Sequence, residues 1–140
     1  MGKILCATRG GEASYRTQDA AIALAKERGD TLLFLYVVDL RFLDKTVAPI
    51  VVDVENEVTK MGEFLLLMAK ERAAEQSVAA DTICCKGKFR EELKKAACEE
   101  GVSLVVLGRP AGEESVFKLA SLEAFAAEIE AETGVETVIV

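Results

Sequence analysis

Glycines follow two apolar stretches of this sequence, at points where a chain can bring its backbone close to a phosphate. The first stretch leads into Arg9-Gly10-Gly11, and the second, Val102–Leu107, leads into the run Gly108–Gly112. Glycine lets a backbone approach a ligand closely, and a helix that begins after such a loop offers free N–H groups to an anion. These residue types predict an anion site built from two loops. Neither the G-x-G-x-x-G pattern nor the G-x-x-x-x-G-K-[ST] pattern is present.

The side chains available for catalysis and metal binding are few. The sequence contains no histidine, which removes the commonest general base and most zinc and copper sites. Its four cysteines (6, 84, 85 and 98) lack C-x-x-C spacing. Adjacent Cys84 and Cys85 would point to opposite faces of a strand, so we expect free thiols in a reducing, cytoplasmic compartment. We assign no catalytic and no metal-binding residues, and favour a binding protein over an enzyme.

The length and net charge of the sequence limit the domain organisation and the classes of partner that we expect. We expect residues 1–140 to form one domain, and no apolar run is long enough to cross a bilayer. The formal net charge of −7 argues against nucleic acid and anionic membranes as partners.

The elements that must position the two glycine loops alternate along the chain. Short apolar segments predict strands, and segments of helical periodicity lie between them. This order predicts an α/β fold in which one parallel sheet is covered by helices on both faces, with ligands bound beyond the carboxyl ends of the strands. The predicted strands are 4–8, 31–38, 81–86, 102–107 and 135–140; the predicted helices are 13–28, one beyond the connection 39–52 that carries Pro49, one from 89, and 114–132.

The second helix has the clearest periodicity. We expect its apolar stripe to pack in the core and its mixed charges to be solvated. The stripe consists of Val54, Val58, Met61, Leu65 and Met68, with Phe64 and Leu67 beside it.

Four stretches in this order resemble the universal stress protein family. They are KILCATRGGEAS at the start, LLFLYVVD, REELKKAACEEGVSLVVLGRPAG, and ETGVETVIV at the end. The resemblance implies an open five-stranded parallel sheet in the order 3-2-1-4-5, Rossmann-like and similar to the adenine nucleotide alpha hydrolase fold. It also implies a role in stress responses and a homodimer formed through Val135–Val140. We expect that pairing because no proline or lysine protects this edge.

Many members of the family bind ATP through a G-x-x-G loop followed, nine residues later, by G-[ST]. Here three residues separate the two glycines of the loop, and Ala120 replaces the glycine before the hydroxyl residue. Arg9 replaces an aspartate that accepts hydrogen bonds from the nucleoside, and Glu113 and Glu114 add negative charge. The binding residues that the resemblance implies are Thr8, Arg9, Gly10, Gly11, Val37 through its backbone, Gly108, Arg109, Gly112 and Ser121.

Three hypotheses follow. The first, which we favour, is a homodimeric regulatory module with an unknown protein partner, in which nucleotide binding is weak or absent. In that case Thr8 and Ser121 are ordinary turn and helix-start hydroxyls. The second is a sensor that binds ATP or AMP through Arg9 and Arg109. The third is an enzyme, either a slow ATP hydrolase or a nucleotidyl transferase.

Overall fold

The computed structural model describes residues 2–8, 12–38, 48–99, 101–109 and 115–140. In these ranges strands and helices alternate, as the sequence predicts. The strands are β1 (Lys3–Ala7), β2 (Thr31–Val38), β3 (Ala80–Lys86), β4 (Val102–Leu107) and β5 (Glu136–Ile139); the helices are α1 (Glu12–Arg28), α2 (Ala48–Glu75), α3 (Phe89–Ala97) and α4 (Ser115–Thr133).

The strands form a parallel sheet in the order β3-β2-β1-β4-β5. This order confirms the predicted fold class. The central strand β1 pairs with β2 on one side and β4 on the other, so that Cys6 lies between Phe34 and Val106. The strand order therefore reverses between β1 and β4, which is where a parallel sheet opens a crevice for ligands.

Both faces of the sheet are buried. Ile4, Cys6 and Phe34 pack with Ala21 and Ala25 of α1 on one face, where Leu66 and Ala69 of α2 join the same cluster. The opposite face carries a second cluster in which residues of α3 and α4 cover the strands. Burial on two sides explains why β2 and β4 are continuous apolar runs without alternation. Each fully buried leucine or isoleucine contributes about 1.5–3 kcal/mol to folding.

Helix α2 packs through a different face from the one its periodicity predicts. Its buried residues are Gly62, Leu66, Ala69 and Ala73. Gly62 lies against the ring of Tyr36, where an added Cβ would come under 3.0 Å from the ring. Three of the four are small and let the helix lie close to the sheet, and several of the larger apolar side chains are left outside.

The prediction that the whole apolar stripe of α2 lies in the core is therefore wrong. Met61 is 57% exposed, Phe64 61% and Leu67 53%. Only Val58, Leu65 and Met68 of the described stripe are partly buried. The helix also begins at Ala48, so Pro49 belongs to its first turn and not to the connection. Proline is tolerated there because the first turn has no intrahelical acceptor for its N–H group.

The outer edge of β5 is partly covered by a side chain of α4. The N–H of Val140 donates to Leu107 of β4, so in this strand the N–H of Thr137 points to the other edge. That N–H donates to Glu130 Oε1 at 2.9 Å. The edge has no proline or lysine, as the sequence shows, but the carboxylate occupies one of its donors.

Candidate functional site

The carboxyl ends of β1, β2 and β4 bring together three of the predicted site residues. Cys6 is level with Val106, so Thr8 and Gly108 come at the same height just beyond their strands. The N–H of Thr8 donates to the carbonyl of Leu35 at 2.9 Å, and Val37 lies two residues further along β2. The ends of the first and fourth strands are therefore adjacent, where the sequence predicts a crevice; the loops that would complete it, 9–11 and 110–114, lie outside the described residues.

A buried polar pair lies at the base of this crevice. Thr8 is 3% exposed and Gln18 of α1 is 2% exposed. Gln18 Nε2 donates a hydrogen bond to Thr8 Oγ1 at 2.8 Å. Among the described residues, Gln18 Oε1 has no hydrogen-bond partner although it is buried. A buried acceptor without a donor is costly to the fold.

Gly108 makes room for helix α1. A Cβ at this position would come under 3.0 Å from Thr17 Oγ1, so the glycine is required for the side chain of Thr17 to pack over the end of β4. Thr17 is itself buried. Packing within the chain therefore explains the glycine at position 108 without reference to a ligand.

Arg109 is hydrogen-bonded through its backbone. Its N–H donates to the carbonyl of Val140 at 3.0 Å, which continues the β4–β5 hydrogen bonding by one residue. Its side chain is exposed. The backbone group is therefore occupied, and the guanidinium is the part of Arg109 that can contact an anion. Four further predicted residues, Arg9, Gly10, Gly11 and Gly112, lie outside the described residues.

Ser121 does not begin a helix. Helix α4 starts at Ser115, so Ser121 falls in its second turn and the helix-start prediction for this hydroxyl is wrong. Its Oγ accepts a hydrogen bond from Arg90 Nη2 of α3 at 3.1 Å. Arg90 also lies 4.8 Å above the ring centroid of Phe125. The hydroxyl thus contacts α3, which covers the face of the sheet opposite to α1.

The chemistry available at the crevice is that of hydrogen bonding. Cys6 lies on β1 below Thr8, and burial raises the pKa of its thiol to about 12, so it remains a neutral thiol near neutral pH. In the part of the chain that the structure describes, no cluster of acidic, cysteine or histidine side chains could hold a metal ion. Across those same ranges, none of the helices has the length and apolarity needed to cross a membrane.

Sequence reasoning missed Thr17 and Gln18. The signal was available, because both precede the buried Ala21 and Ala25 by one or two helical turns and so share their face of α1. Polar residues on the otherwise apolar buried face of a helix must find partners within the fold. For Gln18 that partner is the hydroxyl of Thr8 at the end of β1.

A parallel sheet whose order reverses between β1 and β4 is typical of the α/β domains that bind ligands at the point of reversal. The sequence model of the universal stress protein family matches residues 1–122. The chain is also 37% identical over 124 residues to universal stress protein YxiE of Bacillus subtilis (strain 168), a match that covers 77% of this chain and 78% of that protein. This chain belongs to the universal stress protein family.

Solved structures agree with this fold. A universal stress protein family member from Burkholderia pseudomallei is 26% identical, with a TM-score of 0.69, and the match covers 99% of this chain and 95% of that one. A universal stress protein solved in complex with cAMP is 19% identical, with a TM-score of 0.70, and the match covers 99% of this chain and 96% of that one.

Proposed function

We propose that this chain is a cytoplasmic regulatory module of the universal stress protein family that works as a homodimer and binds nucleotides weakly or not at all. One observation carries the proposal: the buried hydroxyl of Thr8 already accepts a hydrogen bond from Gln18 at 2.8 Å. A nucleotide that used this hydroxyl as an acceptor would compete with Gln18, and one that used its O–H as a donor would have to reach a residue that is only 3% exposed. The module acts by presenting its surfaces to a protein partner and not by turning over a substrate.

Two further contacts support weak nucleotide binding. Thr17 fills the space that Gly108 leaves open, and the N–H of Arg109 is bonded to Val140. A phosphate that approached Arg109 would find its backbone N–H already bonded. We expect ATP-Mg and AMP to bind with dissociation constants above about 1 mM.

Isothermal titration calorimetry with ATP-Mg, AMP and cAMP tests this proposal. We expect no saturable heat for the unaltered chain. Gln18→Leu frees the Thr8 hydroxyl and Thr17→Ala opens space beside Gly108, so each should increase affinity for AMP. Ala23→Ser, at an exposed position nearer the other end of α1, is the control and should leave the affinity for AMP unchanged. Micromolar binding by the unaltered chain would contradict the proposal.

A second candidate, a nucleotide sensor, is favoured by Gln18 Oε1. This acceptor is buried and has no partner among the described residues, and an adenine amino group or a ribose hydroxyl could donate to it. The solved relative in complex with cAMP shows that a protein of this fold accepts an adenine nucleotide. In this alternative Arg9 and Arg109 contact the phosphate, since guanidinium groups pair well with phosphate oxygens.

The sensor alternative predicts that AMP raises the melting temperature of the chain and that Arg109→Glu abolishes the shift. Arg28→Glu is the matched control, because Arg28 is exposed at the far end of α1. If both variants lose the shift equally, the effect is one of overall charge and the sensor alternative fails. Phosphate release from ATP that Arg9→Ala abolishes would support the third hypothesis, a slow hydrolase.

The proposed homodimer forms through residues 135–140 at the outer edge of β5. In the sheet order, β5 has one strand neighbour, β4. Main-chain pairing with a second copy would use the N–H groups of the other edge. Because Glu130 occupies the N–H of Thr137, the carboxylate must move aside as the two strands pair.

A further inference from the structure

The outward face of α2 carries apolar side chains that the fold leaves uncovered. Met61, Phe64 and Leu67 are each more than half exposed, and Phe64 and Leu67 lie on the side of the helix opposite to Gly62. We propose that this face is a self-association surface, on which α2 of a second copy docks in the antiparallel direction. The surface is separate from the edge of β5 and does not depend on it.

The spacing of the exposed residues defines a single ridge along α2. Lys60, Phe64, Leu67 and Glu71 follow one another in steps of four, three and four residues. Such steps keep side chains on one side of a helix. The ridge extends over about 16 Å, with a cation at one end, two apolar residues in the middle and an anion at the other end.

This ridge is complementary to itself in one direction only. When two copies pack antiparallel, Phe64 faces Leu67 of the second copy and Lys60 faces Glu71 of the second copy, at both ends of the contact. A parallel arrangement would place Lys60 against Lys60 and Glu71 against Glu71. Within the described residues, neither Lys60 nor Glu71 takes part in an ion pair, so both remain available.

The two kinds of contact contribute differently. Burial of the apolar side chains supplies most of the affinity, since exposed ion pairs add little. The charges at the ends select the direction and the register, because like charges in the wrong arrangement repel. One helix pair buries less area than the roughly 1,200 Å² that stable complexes need, so the assembly should be weak and depend on concentration.

The first test is sedimentation velocity over a wide range of protein concentrations. We expect the average mass of the unaltered chain to rise with concentration, and Phe64→Glu to reduce that rise. Without β5 pairing the α2 contact gives a dimer at most, so the mass falls by up to a factor of two; if the β5 edges also pair, each pair carries two α2 faces, larger assemblies form and the fall exceeds twofold. Lys70→Glu, an exposed residue of α2 off the ridge, is the matched control and should leave the mass unchanged.

The second test exchanges the charges. Lys60→Glu alone and Glu71→Lys alone should each weaken the assembly, because each places like charges together. An equimolar mixture of the two variants should restore it, since every cation then faces an anion across the antiparallel pair. The double variant Lys60→Glu/Glu71→Lys should assemble as the unaltered chain does.

Three results would overturn the proposal. One is an unchanged mass in Phe64→Glu. Another is a loss of assembly in Lys70→Glu as large as in Phe64→Glu. The third is a mixture of the charge variants that assembles no better than either variant alone. Circular dichroism confirms that each variant is folded; a Phe64→Glu chain that unfolds would show that Phe64 packs within its own chain, and would also overturn the proposal.

Discussion

At the scale of single residues, the most informative feature is a pair of buried polar side chains that bond to each other. Thr8 and Gln18 are nearly inaccessible, and one hydrogen bond joins them. The carboxyl end of β1 is where a family crevice would accept a ligand, yet here α1 supplies the group that contacts Thr8. Function and packing therefore compete for the same hydroxyl.

This competition predicts a non-additive response to mutation. Thr8→Val leaves both polar ends of Gln18 buried without a partner, so it should lower the free energy of unfolding by about 1–3 kcal/mol. Adding Gln18→Leu removes the unpaired groups and should recover most of the loss. Urea unfolding measures both, with Thr82→Val on the exposed side of β3 as the control. If the double variant is as unstable as the sum of the two single changes, the hydrogen bond is not what couples these residues.

At the scale of elements, the position of α2 depends on a missing side chain. Gly62→Ala adds a methyl group against the ring of Tyr36, and overpacking of this kind costs about 1–3 kcal/mol. Alanine is also the better helix former by about 1 kcal/mol, which opposes the clash. We expect a net loss of stability in the unaltered background and a net gain in a Tyr36→Ala background. A change of the same sign in both backgrounds would contradict the contact.

Helices α3 and α4 are joined by charges as well as by apolar contacts. Lys94 Nζ lies 2.9 Å from Glu128 Oε1 and 2.5 Å from Glu132 Oε2. Hydrogen bonds to Glu132 and then Glu128 raise the pKa of Lys94 above its ordinary value.

A raised pKa means that the folded chain holds this proton more tightly than the unfolded chain does. The stabilisation is therefore complete at neutral pH and is lost as the pH rises through the raised pKa. We expect Lys94→Met to lower the melting temperature at pH 7, and the difference from the unaltered chain to vanish in strong alkali. Lys70→Met is the control. A difference that stays constant at all pH values would assign the effect to packing of the lysine stem.

At the scale of the whole molecule, one carboxylate bonds to the edge of β5 at which the proposed dimer would form. Glu130→Ala frees the N–H of Thr137 at the outer edge of the strand. If residues 135–140 pair with a second copy, this variant should shift the association to lower protein concentration, as measured by sedimentation equilibrium. Glu123→Ala, exposed on the same helix, should not. Weaker association in Glu130→Ala would mean that the carboxylate contributes to the contact and does not protect the edge.

Sequence reasoning reached the sheet but not the orientation of the helices. The apolar runs 31–38 and 102–107 match β2 and β4 residue for residue, because burial on both faces leaves a strong signal. The buried face of α2 gave a weak signal, since apart from Leu66 the residues that pack there are glycine and alanine. Ser121 was misplaced because a motif position was carried over to a helix that begins six residues earlier. Hydrophobic periodicity identifies the helix face that carries large apolar side chains. Close packing between a helix and a sheet also favours small residues such as glycine and alanine, which this periodicity does not detect.

The contact between the ring of Tyr36 and Gly62 also affects the outer surface of the molecule. It fixes the angle at which α2 is turned about its own axis, because only one residue of that helix can accept the ring so closely. Successive residues of a helix are about 100° apart, so placing any other residue against the ring of Tyr36 would rotate Phe64 and Leu67 to a different side of the helix. The surface that this helix offers to its surroundings is thus decided at the contact between a glycine and an aromatic ring on its inner side.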